Sequence, residues 1–177
     1  MTTSRFSVGP TVAINNAADF ADLFGVSRET ADRLQLYVDT LCLWQKSLNL
    51  VAPASLDQVW QRHIADSAQI VGLVSFPAGG DWVDFGSGAG FPGLVVALLL
   101  AERWPGQVSL VESDVRKCAF LREVLRKTGL GSALTVDILS GRIESAEIQA
   151  KVRGADVYSA RAVASLDRLF AFVGPVF

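Results

Sequence analysis

Residues 82–101 constrain the fold of this 177-residue chain more than any other segment. A short apolar run containing Asp84 leads into a loop with glycines at Gly86, Gly88 and Gly90, and an unbroken apolar run follows at 94–101. This order predicts a strand, a tight turn and the start of a helix. Glycines in such a turn let backbone amides approach a ligand closely, because they carry no Cβ. The segment therefore predicts a nucleotide-binding loop in an open α/β sheet.

The spacing of the glycines separates two kinds of nucleotide loop. The dinucleotide pattern G-x-G-x-x-G needs a third glycine at the position that Phe91 occupies. The observed pattern is G-x-G-x-G with Asp84 two positions before the first glycine. This arrangement resembles the S-adenosylmethionine loop of class I methyltransferases. A dinucleotide loop and a purely structural glycine-rich turn are the alternatives.

Length and composition indicate one domain, or one domain with a small appendage, and half of the residues are hydrophobic. The longest apolar run, 94–101, is too short to cross a bilayer, and nothing at the N-terminus resembles a signal peptide. Cys42 and Cys118 lack metal or disulfide spacing, which indicates packed thiols in a reduced cytoplasm. With a net charge of −2, binding to nucleic acid would need a local basic patch.

The pattern of elements divides the chain into a helical N-terminal portion, 1–79, and an α/β core, 80–177. In the first portion we predict a helix at 17–24 closed by Gly25, a longer helix capped by Ser27, and a third helix opened by Ser55 with Gln58 completing a capping box. In the second we predict strands at 82–85, 108–111, 133–136 and 156–158, and helices at 94–102, 115–128 and 165–173. This alternation predicts a mainly parallel, Rossmann-like sheet covered on both faces.

Only four strands are predicted before the chain stops, whereas doubly wound sheets of this kind have more. We therefore expect a truncated chain in which C-terminal strands of the sheet are missing. The remaining edge strand would expose unpaired backbone groups, a liability for solubility.

Two acids and one loop are candidate cofactor contacts. Glu112 ends the second predicted strand, where doubly wound folds place a carboxylate that accepts both ribose hydroxyls of a nucleoside. Asp84 either orders the loop amides and the ligand's amino group or caps the turn. The loop after the third strand offers Ile143 to the adenine ring and Glu144 for polar contacts. An ordinary strand-end charge and a surface turn are the alternatives for Glu112 and for this loop.

Arg161 and His63 are the candidate catalytic residues. Arg161 follows the fourth strand at the carboxyl edge of the sheet, with a structural ion pair as the alternative role. His63 is the only histidine and shares a helix face with Asp66 and Ser67. A Ser/His/Asp hydrolase is disfavoured because triad members come from separate elements, and one histidine without paired cysteines argues against a metal site. A structural role for His63 is the alternative.

Basic residues crowd the helix after Glu112 and are either a solvated face or phosphate contacts. They are Arg116, Lys117, Arg122, Arg126 and Lys127.

Taken in order, several segments resemble one family. They are the Arg62-His63-x-x-Asp66-Ser67 helix, the loop from Asp84 through Phe91-Pro92-Gly93, Leu110-Val111-Glu112-Ser113, Lys117 with Phe120-Leu121-Arg122, Gly141-Arg142-Ile143-Glu144, and Ser159 with Arg161-Ala162. On these residues the chain resembles the glucose-inhibited division protein B family, bacterial methyltransferases of small-subunit ribosomal RNA. The histidine helix and the Phe-Pro-Gly extension make the resemblance specific. The resemblance implies adjacent Ser and Arg residues, whereas Ala160 separates Ser159 from Arg161 here, a departure from the family pattern.

The resemblance implies transfer of a methyl group from S-adenosylmethionine to N7 of a guanine in the 530 loop of 16S rRNA. By position, the glycine loop with Phe91 would contact the cofactor, Ile143 and Glu144 would hold the adenine, and Arg161 would lie at the methyl-transfer end. The His63, Asp66 and Ser67 face and the basic residues would meet RNA. We expect a cytoplasmic monomer that acts on 16S rRNA or the small ribosomal subunit, without metal or membrane.

The chemistry suits this assignment. Guanine N7 has an exposed lone pair and needs no deprotonation, so positioning and electrostatics supply most of the catalysis. A pyrimidine-C5 methyltransferase would need a nucleophilic cysteine in the crevice, and amino-group methyltransferases resemble one another in an Asn/Asp-Pro-Pro-Tyr run that is absent after Tyr158. An NAD(P)-dependent oxidoreductase and a non-catalytic nucleotide- or RNA-binding form are the alternatives.

Overall fold

The computed structural model describes residues 13–75, 77–130 and 134–174. Helix α1 spans Ala17–Phe24 and ends at Gly25, which has a left-handed conformation with φ +62°. Helix α2 spans Arg28–Gln45, and the hydroxyl oxygen of Ser27 accepts a hydrogen bond from the Thr30 amide at 3.0 Å. Both predicted helices and their caps are therefore confirmed. The N-terminal segment for which no signal peptide is expected lies, up to residue 12, outside the described residues.

The third predicted helix differs from expectation. The chain forms a 3₁₀ helix at Pro53–Gln58, a π-helical stretch at Trp60–Ala65, the short helix α3 at Asp66–Gln69 and a further 3₁₀ turn at Ile70–Gly72. The capping-box prediction for Ser55 is wrong, because Pro53 already begins the helical turn and places Ser55 inside it. The Ser55 hydroxyl instead donates to the Ala52 carbonyl at 2.7 Å.

The second portion alternates strands and helices. Its elements are β1 Asp81–Phe85, α4 Gly93–Leu100, β2 Gln107–Glu112, α5 Val115–Thr128, β3 Thr135–Ser140, α6 Ala146–Val152, β4 Val157–Ala160 and α7 Leu166–Val173. The strands form one parallel sheet in the order β3-β2-β1-β4, with Val83 paired to Ser109 and to Tyr158. The predicted α/β class with a parallel sheet is therefore confirmed.

Strands β3 and β4, helix α6 and the end of α4, at Leu100 rather than 102, differ from the predicted elements. Strand β3 lies at Thr135–Ser140 rather than 133–136, of which residue 133 lies outside the described residues. The exposed polar residues of β3, such as Asp137, are typical of a loop in sequence. They also suit an edge strand that has one face in solvent. Strand β4 continues to Ala160, and helix α6 follows the 141–144 loop, in addition to the three helices predicted for this portion.

Apolar residues cover the sheet on both faces. On one face, helix α4 is buried along its whole length between the sheet and the N-terminal helices, which explains its unbroken apolar sequence. On the other face, Val83, Phe85 and Val111 pack with residues of α6 and α7. The sheet therefore packs against an apolar core that includes residues of both the helical portion and the α/β portion. Among the described residues, no helix has the length and apolar character needed to span a membrane.

Candidate active site

Two cavities lie at the carboxyl ends of β1, β2 and β4 and share Gly86 in their walls. The larger cavity, about 520 Å³, is lined by residues 50–52, Ser55, Arg62, His63, Asp66, Gly86 to Ala89, Phe91, Lys117, Arg161 and Ala162. The smaller cavity, about 180 Å³, is lined by Gly86, residues 111–113, residues 141–144 and Val163. This is the edge where open parallel α/β sheets bind ligands. The structure therefore brings His63 and Arg161 to one cavity and Glu112, Ile143 and Glu144 to the other.

The glycine loop (residues 86–93) leaves room for a ligand at Gly88. Gly88 has φ +57°, and a Cβ built there would meet no atom nearer than the Gly86 carbonyl oxygen, 3.7 Å away. The space above the loop backbone is therefore open to a ligand, while a side chain would occupy it and strain the backbone.

Glu112 ties the glycine loop to the end of β2. Its Oε2 accepts a hydrogen bond from the Gly88 amide at 2.8 Å, and its Oε1 accepts one from the Asp114 amide at 2.7 Å. An ionised carboxylate has about four acceptor positions, so acceptor capacity is left for ribose hydroxyls. In the same cavity Ile143 is buried, and Glu144 pairs with Arg168 at 3.2 Å. These positions suit the adenosine contacts expected of Glu112 and Ile143.

Asp84 lies beneath the glycine loop and not in the wall of either cavity. It is completely buried, and its Oδ1 accepts a hydrogen bond from the Ser159 hydroxyl at 2.7 Å, which in turn accepts one from the Trp82 indole at 2.8 Å. Burial raises the pKa of Asp84 to about 6, although the Ser159 hydroxyl partly offsets the rise. Direct contact between Asp84 and a ligand stays a prediction.

Gly90 faces the protein interior rather than a cavity. A Cβ at Gly90 would lie 2.7 Å from the Tyr37 hydroxyl, which donates a hydrogen bond to the Ala89 carbonyl. Tyr37 is buried and stacks on Phe91 with their ring centroids 5.4 Å apart. Helix α2 therefore supports the loop from below, and the assignment of Gly90 to the cofactor stays a prediction.

His63 joins Arg161 to Ser55. The imidazole stacks on Phe91 at 4.9 Å, its Nδ1 lies 2.9 Å from Arg161 Nη2, and its Nε2 lies 2.8 Å from Ser55 Oγ. Burial, then the charges of Arg161 and Arg62, lower the pKa of His63 to about 4. The ring is therefore neutral at physiological pH.

Sequence reasoning missed Ser55 as a site residue. The only sequence signal for this contact was the spacing of eight residues between Ser55 and His63, about two helical turns. The capping-box pattern instead assigned Ser55 to the start of a helix. The prediction that His63, Asp66 and Ser67 form one exposed face is only partly correct. Asp66 lines the larger cavity, but Ser67 is only 2% exposed. Ser67 therefore does not present its side chain to RNA.

The basic residues of α5 have two different surroundings. Arg126 and Lys127 pair with Glu123 at 2.8 and 3.7 Å, and Arg116 pairs with Asp114 at 3.5 Å, as in a solvated helix face. Lys117 instead lines the larger cavity. Of the predicted phosphate contacts on this helix, Lys117 is the one that the structure places at the site.

A parallel sheet in the order 3-2-1-4, with a glycine loop after the first strand and a carboxylate after the second, is a nucleoside-binding doubly wound α/β fold. With the G-x-G-x-G spacing of the loop and Phe91 in place of the third dinucleotide glycine, its class is the class I S-adenosylmethionine-dependent methyltransferase fold. Solved structures agree at the level of fold. MtNAS in complex with MTA and tNA superposes with a TM-score of 0.52 at 18% identity, over 89% of this chain and 53% of that chain. A MtNAS variant in complex with S-adenosylmethionine gives 0.51 at 18% identity, over 89% and 55%. The chain spans about half the length of these structures.

The particular family follows from sequence. The family model described as rRNA small subunit methyltransferase G, GidB, matches residues 30–177, and the chain belongs to this family. Proteins named ribosomal RNA small subunit methyltransferase G are similar to it. The protein from Parvibaculum lavamentivorans is 49% identical over 100% of this chain and 74% of its own length, and that from a Jannaschia species is 52% identical over 85% and 67%. The predicted family is therefore confirmed.

Proposed function

We propose that this chain transfers the methyl group of S-adenosylmethionine to N7 of a guanine in the 530 loop of 16S rRNA. The observation that carries the proposal is the junction of the two cavities at Gly86. One side offers a carboxylate at the end of β2, as a ribose needs, and the other offers Arg161 and His63. A ligand with a nucleoside at one end and a reactive group at the other fits such a junction.

The residues present fit this cofactor. Glu112 would accept the ribose hydroxyls, Ile143 would pack on the adenine, and Glu144 would supply a polar contact at the mouth of the smaller cavity. The open space above Gly88 would take the amino-acid portion of the cofactor. When bound, the sulfonium supplies an activated methyl group. The protein's own part is to hold the two reactants in line.

The larger cavity suits a nucleophile that needs no base. Both ring nitrogens of His63 are engaged by Ser55 and Arg161, so the imidazole is not free to remove a proton from a substrate. Guanine N7 already has its lone pair, and alignment alone brings it into reaction. We assign Arg161 and His63 to orienting the base at the methyl-transfer end.

The rim of the larger cavity carries charge suited to RNA. Arg62, Lys117 and Arg161 line it, with Asp66 as an opposing acid, although the net charge of the chain is −2. A local basic rim on an acidic protein favours phosphates at this place over non-specific binding elsewhere. We further propose that the protein acts as a monomer in the cytoplasm, where ribosomal RNA is modified.

The test is methyl transfer to unmodified RNA. The purified chain is incubated with isotopically labelled S-adenosylmethionine and either naked 16S rRNA or small subunits that lack the modification, and N7-methylguanosine is mapped by mass spectrometry. We expect the label at one guanine of the 530 loop, and whichever substrate is labelled faster identifies the natural one. Binding of S-adenosylhomocysteine without any methyl transfer would instead support the non-catalytic alternative. Tight binding of NADH alone would support the oxidoreductase, which the family match disfavours.

A matched pair of glycine variants connects this activity to the site. Gly88 and Gly129 both have positive φ and room for a Cβ, but Gly129 caps α5 and lies in neither cavity. We expect Gly88→Ala and Gly129→Ala to lose similar stability, about 1–2 kcal/mol each. Only Gly88→Ala should weaken S-adenosylhomocysteine binding in calorimetry, on the order of tenfold or more, because its methyl group fills ligand space. Equal binding by both variants would argue against a cofactor above Gly88.

A further inference from the structure

We propose that Ser55 is a positioning residue for Arg161 and that it acts through the imidazole of His63. The three side chains come from three places in the chain: the 3₁₀ helix at Pro53–Gln58, the π-helical stretch and the end of β4. Two contacts link them, at 2.8 Å between Ser55 Oγ and His63 Nε2 and at 2.9 Å between His63 Nδ1 and Arg161 Nη2. The proposal deepens the proposed function, and its kinetic consequence rests on that function.

Counting protons fixes the direction of each hydrogen bond. A guanidinium has donors and no acceptor, so the Nδ1 atom that faces Arg161 must be the unprotonated one. The proton of a neutral His63 therefore lies on Nε2. Ser55 has a single hydroxyl proton, which it donates to the Ala52 carbonyl at 2.7 Å, and this leaves its oxygen free to accept from Nε2. Two independent arguments thus assign the same tautomer.

The surroundings of the ring keep this tautomer neutral. Ser55 is buried, and one face of the imidazole is covered by Phe91. Charged and titratable groups surround the pair of His63 and Arg161. Arg62 and Asp66 from the helical segment of His63, and Lys117 from α5, line the same cavity. Tyr37 from α2 and Asp84 from β1 interact electrostatically with Arg161, which follows β4. Of these, Arg161 and Arg62 disfavour a charged ring most directly. Protonation at Nδ1 would also remove the acceptor that Arg161 uses.

The consequence is a fixed guanidinium at the wall of the larger cavity. Arg161 is held by His63 Nδ1, by the Arg62 carbonyl at 3.3 Å, and by the ring of Phe91, whose centroid lies 4.9 Å from Cζ. His63 in turn is fixed at its far side only through Ser55 among its described hydrogen bonds. Without the Ser55 hydroxyl the ring is free to turn, and Arg161 loses its best-aligned acceptor.

The first test observes the ring directly and needs no activity. Because His63 is the only histidine, ¹⁵N-labelled histidine gives one set of ring signals. We expect the wild-type protein to show the Nε2–H tautomer and to titrate near pH 4. Ser55→Ala should show tautomer exchange, whereas Ser55→Thr should restore the wild-type signals. Ser47→Ala, which removes an exposed hydroxyl bonded only to the Trp44 carbonyl, is the control and should change nothing.

The second test uses methyl transfer at saturating cofactor. Since a small misplacement of a positioning group costs up to about a hundredfold in rate, we expect Ser55→Ala to lower kcat on the order of tenfold. The KM for S-adenosylmethionine should change little.

The two tests separate failure of this inference from failure of the proposed function. Absent methyl transfer with the expected ring signals would contradict the function and leave the positioning role supported. A wild-type ring protonated on Nδ1, or one that titrates near 6.5, would overturn the inference even if Ser55→Ala did not fold. Ring signals unchanged by Ser55→Ala would overturn it as well.

Discussion

Asp84 and His63 both interact electrostatically with Arg161, and burial moves their pKa values in opposite directions. Burial favours the neutral form of either group, so the pKa of Asp84 rises to about 6 while the pKa of His63 falls to about 4. Near pH 6 it is therefore the aspartate, not the histidine, that changes charge. An activity profile with a midpoint near 6 would report on Asp84.

The raised pKa of Asp84 makes a prediction about stability. An acid whose pKa is higher in the folded state binds its proton more tightly there, so its contribution to folding is most favourable below the ordinary value of 3.8 and is lost as pH rises to about 6. At about 1.4 kcal/mol per pKa unit the loss is roughly 3 kcal/mol. We therefore expect Asp84→Asn to gain roughly that much stability relative to wild type between pH 4 and pH 7, measured by urea unfolding.

The difference between the two proteins is the informative quantity, because other acids titrate in both. Asp137→Asn, which removes an exposed carboxylate from β3, is the control for the loss of a surface carboxylate, and the pH dependence of the difference should be larger for Asp84→Asn. A flat difference for Asp84→Asn would mean that Asp84 is not held protonated by the fold.

Among single residues, the sequence predicted those whose position follows from the order of the strands. It missed the residues whose contacts depend on how distant segments pack together. Glu112 could be placed because the end of β2 always lies beside the loop after β1 in a parallel sheet. The contact between Ser55 and His63 depends on a π-helical stretch and a 3₁₀ turn, which have no reliable sequence pattern. The inward direction of Gly90 depends on Tyr37, more than fifty residues away.

Among the elements, helix α2 has a role beyond covering the sheet. Its Tyr37 donates a hydrogen bond to the Ala89 carbonyl in the glycine loop and stacks on Phe91, which also contacts His63. The N-terminal helices therefore set the position of the loop that we assign to the cofactor. Cofactor affinity should depend on a residue that lines neither cavity.

Removal of one hydroxyl tests this support. We expect Tyr37→Phe to leave the Ala89 carbonyl unpaired and to cost about 1–3 kcal/mol of stability. It should also weaken S-adenosylhomocysteine binding several-fold in calorimetry. The only other tyrosine, Tyr158, donates to the Val152 carbonyl at 2.7 Å, away from the loop. Tyr158→Phe should therefore lose stability with cofactor affinity unchanged, and equal losses of affinity in both variants would contradict a specific role for α2.

The helices whose bounds were predicted well are followed by a glycine that marks their end in the sequence. Helix α1 ends at Gly25, and α5 matches its predicted bounds of Val115–Thr128 because Gly129 stops it. Strand β3 was misplaced because its exposed polar residues, such as Asp137, are also typical of a loop, although their alternation with apolar residues suits a half-exposed strand.

For the whole molecule, the boundary near residue 80 separates a helical portion from a portion of alternating strands and helices. The two portions nevertheless share one hydrophobic core. One apolar cluster contains Phe20, Leu34 and Trp60 from the helical portion together with Leu98 and Phe120 from the α/β portion. Sequence patterns could predict the change from helices to strands but not this shared packing, because periodicity shows which face is apolar and not what covers it. We expect the two portions to unfold together.

Hydrogen exchange resolved by mass spectrometry measures this cooperativity. Along a urea titration, peptides from α2 and α5 should lose protection at the same midpoint, because both helices contribute to the common core. Helix α7, of which Phe172 is the only buried residue, serves as an internal reference and should lose protection earlier. Separate midpoints for α2 and α5 would show that the helical portion is an independent domain.

The carboxylate of Glu112 couples binding at the ribose to binding at the glycine loop. The same group that we assign to the ribose also accepts the amide of Gly88, in the loop next to the larger cavity. A nucleoside that draws on Glu112 thereby alters the loop on which the amino-acid end of the cofactor would rest. Adenosine and methionine as separate fragments would then bind with mutually dependent affinities, so the free energy for the joined molecule would not be the sum of its parts.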